Sequence, residues 1–401
     1  MKILVQKYGG SSVKDLERIK NVAKKIKKRV DEGLKIIVVV SAMGKTTDNL
    51  LNLAESISQN PDPRELDMLL ATGEQVSAAL LAMALKDIGT RAISFNALQL
   101  NIRTTLEHNS AKIIDINVDT ISEKFSYYDV IVITGFQGIN HRGDITTLGR
   151  GGSDTSAVAL AAKLKTQCEI YSDVDGVYTC DPKLHPNARK HFYITYDEIL
   201  EMSASGAKVL HSRAIEIAKK YGVPIYCASS FTDEEGTRVV EKLPEWLEKP
   251  LVSGATITEN QMKVTISNIP RDENLISKIF KKLSENNLNV DMISMVPSGE
   301  KAVLSFTILE AQKKDIEKIL RESLGEFKDL DISYDGEYSK ISVVGVGMRS
   351  SPGVAYRFFE AIARADAKPE LITTSEIKIS SLIPKEKSER VLKEIIKEFD
   401  L

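Results

Sequence analysis

Apolar positions change their period several times along the chain, and each change predicts an element. "KILVQ" is a short β-rich run. Behind "YGGSS", Val13, Leu16, Ile19, Ala23, Ile26 and Val30 recur at the spacing of one helix face. "LKIIVVVS" (34–41) does not alternate at all, as expected of a strand buried on both faces. "RELDMLLATGEQVSAALLAMALKDIG" predicts a helix, "RAISF" and "DVIVITG" strands, and "TSAVALAAKL" a further helix. "QCEIYSD" predicts a strand and "ITYDEILEMSASGAKVLHSRAIEIAKKYG" a helical stretch broken near Ser205–Gly206; "VPIYCASS" closes the series. Such strand–helix alternation predicts an α/β unit over residues 1–240, a mostly parallel sheet sandwiched by helices.

The pattern shifts at "EKLPEWLEKPLVSG", which carries two prolines and the only tryptophan, Trp246. Residues 241–262 read as a linker and the start of a second region. "KVTISNIPRDENLISKIFKKLSENNLNVDMISMV" and "KISVVGVGMRSSPGVAYRFFEAIARADAKPELITTS" each run strand, loop, helix, strand. "AVLSFTIL" and "EIKISSLI" follow them, and then a charged amphipathic helix. Lys263 and Lys340 open equivalent strands 77 residues apart. This internal repeat predicts two split β-α-β modules, 263–335 and 336–401, with strands open to interleaving between them; the pattern fits ligand sensing and scaffolding equally.

Composition narrows the class. Of 401 residues, 42% are apolar and 27% charged, and the net charge is −2, which gives no support to nucleic-acid or membrane-surface binding. The basic run from Lys24 to Arg29 lies opposite an apolar helix stripe and reads as a solvated face. Cys168, Cys180 and Cys227 form no C-x-x-C pair, and the five histidines have no zinc-like spacing, so a reduced, cytoplasmic setting without a His/Cys metal cage is expected. The N-terminus has no signal-peptide pattern, and no run of 18 apolar residues predicts a membrane span.

Several nucleotide motifs are absent. "SAMGKTTD" lacks the first glycine of a Walker A loop, because Val39 stands there. "GRGGSD" and "GVGMRS" both miss the third glycine of a dinucleotide fingerprint, and no G-x-S-x-G occurs. What remains is a set of loops at the C-terminal ends of predicted strands, where open α/β sheets bind ligands. "QKYGGSS" places Lys7 beside Gly9 and Gly10 ahead of a helix, an arrangement suited to a phosphoryl group or to a plain glycine turn. Ser41, Thr46 and Thr47 follow the buried strand and can bind a ligand or cap the next helix. Glu74 sits in a Leu/Met/Ala-rich helix, where a carboxylate is costly unless paired, or else lies exposed. In "TLGRGGSD", the glycines permit close approach, Arg150 can fork onto a carboxylate or phosphate, and Ser153 or Asp154 would cap the helix. Asp154 competes with an incoming anion for that helix end unless it also holds a cation such as Lys7. "YSDVDGVYTCDPK" offers Ser172, Asp173, Asp175, Tyr178 and Lys183 to a nucleotide, or forms an Asp-Gly turn; Lys208 follows a glycine break. Lysines, an arginine and glycine loops without a candidate general base point to phosphoryl transfer, which relies on positioning and charge neutralisation. An acceptor that is already a carboxylate needs no base.

In order, "KYGGSS", "VVVVSAMG", "TTDNLL", "TGEQVSAALLAMAL", "GFQGIN", "TTLGRGGSDTSAVALAAKL", "EIYSDVDGVYTCDP" and "GAKVLHSRAIEIA" closely resemble the aspartate kinases of the amino-acid kinase family. The repeat from about residue 260 resembles their paired ferredoxin-like βαββαβ ACT domains. The resemblance implies transfer of the γ-phosphoryl group of ATP, with Mg2+ accompanying it, to the β-carboxylate of L-aspartate. It implies Lys7 and Asp154 as catalytic residues and Thr47, Glu74, Arg150 and Ser153 at the amino acid, Glu74 facing its ammonium and Arg150 its α-carboxylate. Lys7, Tyr8, Gly9, Gly10, Ser41, Ser172, Asp173, Tyr178, Lys183 and Lys208 fall at nucleotide positions; Lys183 stands where many relatives have arginine.

The regulatory half departs from the family pattern. "SNIPRDEN" replaces an Asp-x-Pro-Gly loop, Met295 stands for a frequent glutamine, and Lys368 and Pro369 stand where Asn-Ile is common. With Asn268, these positions are the effector candidates. The departures weaken the expectation of lysine or threonine feedback and leave meso-diaminopimelate or weak regulation open. A homodimer or larger homo-oligomer through the ACT units is expected, as is a monofunctional enzyme, since Leu401 comes too early for a fused homoserine dehydrogenase.

Overall fold

The 34–41 run forms a central strand of an eight-stranded sheet in the computed structural model, which describes the chain except residues 1, 208, 247–249, 271–272, 287, 325–326 and 328. Two compact units are present. The first comprises 1–177, 190–203 and 208–247; the second comprises 178–189, 204–207 and 248–401.

The first unit runs β1 (Ile3–Tyr8), α1 (Leu16–Asp31), β2 (Lys35–Val40), α2 (Thr46–Ile57), α3 (Pro63–Leu70), α4 (Thr72–Asp87), β3 (Ala92–Phe95), β4 (Ile102–Thr104), β5 (Ile113–Ile116), α5 (Asp119–Lys124), β6 (Val130–Thr134), β7 (Gln137–Ile139) and β8 (Ile145–Thr147). It continues with α6 (Gly152–Leu164), β9 (Cys168–Ser172), β10 (Tyr193–Thr195), α7 (Tyr196–Ala204), α8 (Ser212–Tyr221), β11 (Ile225–Ser229) and β12 (Thr237–Val240). The main sheet has the order β10-β12-β11-β9-β1-β2-β6-β3, and only the β11–β12 pair is antiparallel.

Strand parity sorts its two faces. Leu4 and Tyr8 of β1, with Ile36, Val38 and Val40 of β2, pack with Ile19, Ala23 and Ile26 of α1 and with Leu81 and Leu85 of α4. The alternate residues face the other way, where α6 lies against β1, β2 and β9. A small sheet, β5-β4-β7-β8, was not predicted; strands of three or four residues are too short to show a period.

α3 and α4 join almost continuously, so residues Pro63–Asp87 are long and apolar enough to cross a membrane by length and composition alone, contrary to the expectation of no such run. Half of the most apolar stretch is covered by the protein itself, and it carries the buried Glu74, as suits a core helix.

The second unit contains β13 (Gly254–Pro270), α9 (Glu273–Glu285), β14 (Asp291–Ser298), β15 (Lys301–Leu309), α10 (Lys313–Leu324), β16 (Asp331–Val344), α11 (Val354–Arg364), β17 (Leu371–Thr374), β18 (Lys378–Pro384) and α12 (Ser388–Phe399). Its sheet has the order β14-β15-β13-β16-β18-β17. The long strands β13 and β16 serve both modules. Gln261–Ser267 pairs with Asp331–Tyr338 in one, and Gly254–Thr258 with Lys340–Val344 in the other. The second module therefore takes its last strand from the front half of β13, ahead of the first module in the chain. Each module has its own core, one around Phe306 and Ile279 and the other around Phe358 and Ile395. Residues 178–189 also belong to this unit: Cys180 lies in the Phe358 core, and the Thr179 carbonyl accepts the Ala255 N–H at 2.8 Å.

Candidate active site

Lys7 occupies the penultimate position of β1 and has the parity of Val5, so its side chain leaves the sheet on the α6 face. There its Nζ lies 2.7 Å from Asp154 Oδ1, in the first turn of α6. Gly9 leaves room for the lysine head, since a Cβ at that position would sit 3.3 Å from Nζ. Gly10 is equally constrained, because a Cβ there would come within 2.9 Å of the Ala42 carbonyl. Its own carbonyl accepts the Gly44 N–H at 3.1 Å, tying the loop after β1 to the loop after β2.

Glu74, in the first turn of α4, is 3% exposed. Gly73 lets α4 approach, since a Cβ there would lie 2.8 Å from Ala42 Cβ. Glu74 Oε1 accepts the Ala42 N–H at 3.0 Å, and Oε2 has no hydrogen-bond partner among the described residues. Burial pushes its carboxyl up to about 7, with the Ala42 N–H opposing part of the rise. A half-satisfied carboxylate at the end of the sheet suits a donor brought by a ligand.

The Gly-Arg-Gly-Gly turn forms the third wall. Gly151 adopts φ +70° and begins α6, so Ser153 and Asp154 lie inside its first turn and do not cap it, contrary to expectation. The helix starts earlier because Gly151 accepts the left-handed conformation that an L side chain resists. A Cβ on Gly151 would lie 2.1 Å from His211 Cγ, and one on Gly135 would lie 2.7 Å from Ser153 Oγ. Arg150 is exposed and makes no ion pair with a described residue.

The remaining candidates divide. Ser41 ends the β2 run, and its N–H donates to the Tyr8 carbonyl. Thr47 lies in the first turn of α2, which has no side-chain cap; the Thr46 hydroxyl donates to the Met43 carbonyl instead. Ser172 ends β9 and bonds within its own turn to Val174, and Asp173 beyond it is exposed. The Tyr8 ring is wholly buried and stacked on Tyr171 at 4.9 Å, so it is the Tyr8 backbone that lies open to a nucleotide. The alternation that sends Lys7 to one face sends Tyr8 into the core on the other.

Tyr178 and Lys183 belong to the second unit, and Lys208 lies outside the described residues. Asn268 has φ +63° at a register shift in β13. Met295 is half exposed on the edge strand β14, and Lys368 and Pro369 are exposed before β17. Sequence reading missed the buried Asp67, with Arg213 and His211. Asp67 could have been found as Glu74 was, a carboxylate within an apolar helical run. A cleft of about 660 Å³ lined by Lys2, Arg29 and Lys165 opens at the opposite, N-terminal ends of the strands, away from these residues.

A lysine, a buried acid and an arginine without an ion pair among the described residues thus lie on glycine-bearing loops and helix starts at the C-terminal ends of parallel strands, the equipment of a small-molecule phosphotransferase. Residues 2–229 match the Amino acid kinase family and 341–399 the ACT domain; the chain belongs to the amino acid kinase family, and it is a kinase. Within that family its relatives are aspartate kinases. It is 41% identical to an aspartate kinase of Pseudomonas putida, covering 100% of this chain and 98% of that protein. It is 43% identical to an aspartokinase of Geobacillus stearothermophilus with the same coverage. Its fold matches that of E. coli aspartokinase III, solved with aspartate and ADP, at a TM-score of 0.84 over 100% of both chains and 22% identity.

Proposed function

We propose that the chain is an aspartate kinase, transferring the γ-phosphoryl group of ATP to the β-carboxylate of L-aspartate to form 4-phospho-L-aspartate. That product opens biosynthesis of lysine and diaminopimelate, threonine and methionine. The Lys7–Asp154 contact at 2.7 Å carries the reading. Asp154 holds a cation above glycine backbone where a transferring phosphoryl group needs its charge neutralised. Glu74 receives the substrate ammonium on its free oxygen, Arg150 takes the α-carboxylate, and Ser153 and Thr47 complete the amino-acid site. Gly9, Gly10, Ser41, Ser172 and Asp173 border the nucleotide, with Tyr178, Lys183 and Lys208 assigned to it on resemblance. The β-carboxylate attacks γ-phosphorus, the bond to the β,γ-bridging oxygen breaks, and ADP leaves with the electron pair.

Among the described residues no group of three or more His, Cys, Asp or Glu side chains could hold a metal ion. Mg2+ would travel on the nucleotide phosphates. The ACT region would bind an amino-acid effector, with lysine, threonine and meso-diaminopimelate as candidates, and pair with a second copy of the chain in the cytoplasm. An ATP-consumption assay across aspartate, glutamate, N-acetylglutamate and UMP tests the reading; turnover is expected with aspartate, and its absence would reject the assignment.

A further inference from the structure

Two charges that the proposed chemistry does not use, one buried and one half-buried, grip the loop carrying Arg150. Asp67, on α3, is 0% exposed. Its Oδ1 accepts the Thr147 hydroxyl at 2.5 Å, its two oxygens accept the Asn109 N–H at 3.2 and 3.1 Å, and its Oδ2 accepts from His108 Nδ1 at 2.7 Å. A carboxylate only accepts, so His108 carries its proton on Nδ1. Arg213, on α8, donates through Nη1 to the Leu148 carbonyl at 2.8 Å and through Nη2 to the Ala111 carbonyl at 2.7 Å.

These bonds converge on two neighbouring chain segments, 108–111 and 147–149. The segments also bond directly, the Ala111 N–H to the Thr147 carbonyl at 3.0 Å. The Gly149 backbone rests so closely against Asn109 that a Cβ would lie 2.7 Å from its carbonyl. Residue 150 follows at once, and its side chain makes no ion pair with a described residue.

Burying the Asp67 carboxylate is expensive, and a well-packed apolar residue would fill the same space at lower cost. The expense is intelligible if the loop must be held to within a fraction of an ångström, because a fork-shaped cation binds a carboxylate only in a narrow range of orientations. We infer that Asp67 and Arg213 are positioning residues that fix the 147–149 backbone so that Arg150 meets the carboxylate of the amino-acid substrate in a preorganised geometry. The inference rests on the aspartate kinase reading and on Arg150 as its α-carboxylate partner.

Steady-state kinetics of the full chain test it, using Asp67→Asn, Arg150→Ala and the double variant, with KM for aspartate and for ATP measured separately. Asp67→Asn is expected to raise the aspartate KM by roughly tenfold or more while the ATP KM moves less than about twofold. In the Arg150→Ala background, Asp67→Asn should add little, because its effect passes through the arginine already removed. Thr147→Val, which deletes the same bond from its other end, should repeat the pattern and replaces Asp67→Asn in the cycle if that variant fails to fold. Parallel increases in both KM values, or effects that multiply in the double variant, would overturn the inference. If Arg150→Ala leaves the aspartate KM unchanged, the Arg150 assignment itself fails. If Arg150→Ala raises it and neither Asp67→Asn nor Thr147→Val does, only the positioning role fails.

Discussion

In the proposed reaction, Lys7 and Glu74 are the side chains on which the chemistry would turn. Lys7→Met keeps the length and apolar stem of the side chain but removes its charge. Turnover should fall at least a thousandfold while circular dichroism still reports a folded chain; the melting temperature should drop, since both partners of this pair are largely buried and Asp154 would lose its cation. Residual activity within tenfold of wild type would remove Lys7 from its role. Glu74 poses a different balance. Its carboxyl is pushed up to about 7 by burial, so the fold binds that proton more tightly than the unfolded chain does. Its favourable contribution is present below the unfolded value near 4.5 and is lost as pH rises through 7. Glu74→Gln should therefore stabilise the ligand-free protein at pH 8 by roughly 2–3 kcal/mol, with the gain shrinking towards pH 5. The same variant should weaken aspartate binding. In the wild type, aspartate affinity should fall as pH drops below 7, with proton release on binding; calorimetry in buffers of different ionisation enthalpy reads both.

At the scale of elements, the arginine turn depends on glycine for two separate reasons. Gly151 has φ +70°, and the space its Cβ would need is filled by the His211 ring. Gly151→Ala should lower kcat/KM at least tenfold, and His211→Ala in the same chain should restore part of it by clearing the steric contact but not the backbone strain. No recovery would mean that the φ requirement alone accounts for the glycine. The start of α6 also shows what a local pattern misses. Ser153 and Asp154 have the composition of helix caps, yet both lie within the helix because two residues of glycine precede them. The regular strands and helices around the main sheet were legible because burial on one or both faces leaves a period in the chain. The short β4, β5, β7 and β8 were not, although their loops hold Arg150 in place.

The whole chain carries its repeat into its ion pairs. Lys340, 5% exposed, lies at 2.5 Å from Asp291 of the first module, and Lys263 lies at 2.8 Å from Glu370 of the second. The two equivalent lysines thus make reciprocal bonds across the shared sheet. Burial pushes the Asp291 carboxyl up, and the Lys340 ammonium more than offsets this, leaving it below the usual carboxylate range. The pair's stabilisation is present above the unfolded carboxyl value and is lost as pH falls through the lowered one. Lys340→Met should destabilise the second unit by roughly 1 kcal/mol at pH 7, less than a fully buried pair because Asp291 is half exposed, and the deficit should narrow in acid; chemical denaturation followed at pH 7 and pH 3.5 measures this. An unchanged midpoint at pH 7 would show that the apolar stem alone matters.

From the residues alone came the parallel α/β sheet, the doubly buried central strand, the repeat beyond residue 240 and a short set of charged residues at strand ends. These follow from local composition and period, which record how each segment is buried. Only the tertiary structure decided which of those residues meet. Strand parity turned Lys7 towards Asp154 and Tyr8 into the core, and α4 packed closely enough on Ala42 to bury Glu74. It also gave each module half of β13 and half of β16, and put Cys180 into a core far along the chain. Pairings across long sequence separations depend on sheet register and helix approach, and no local period encodes either.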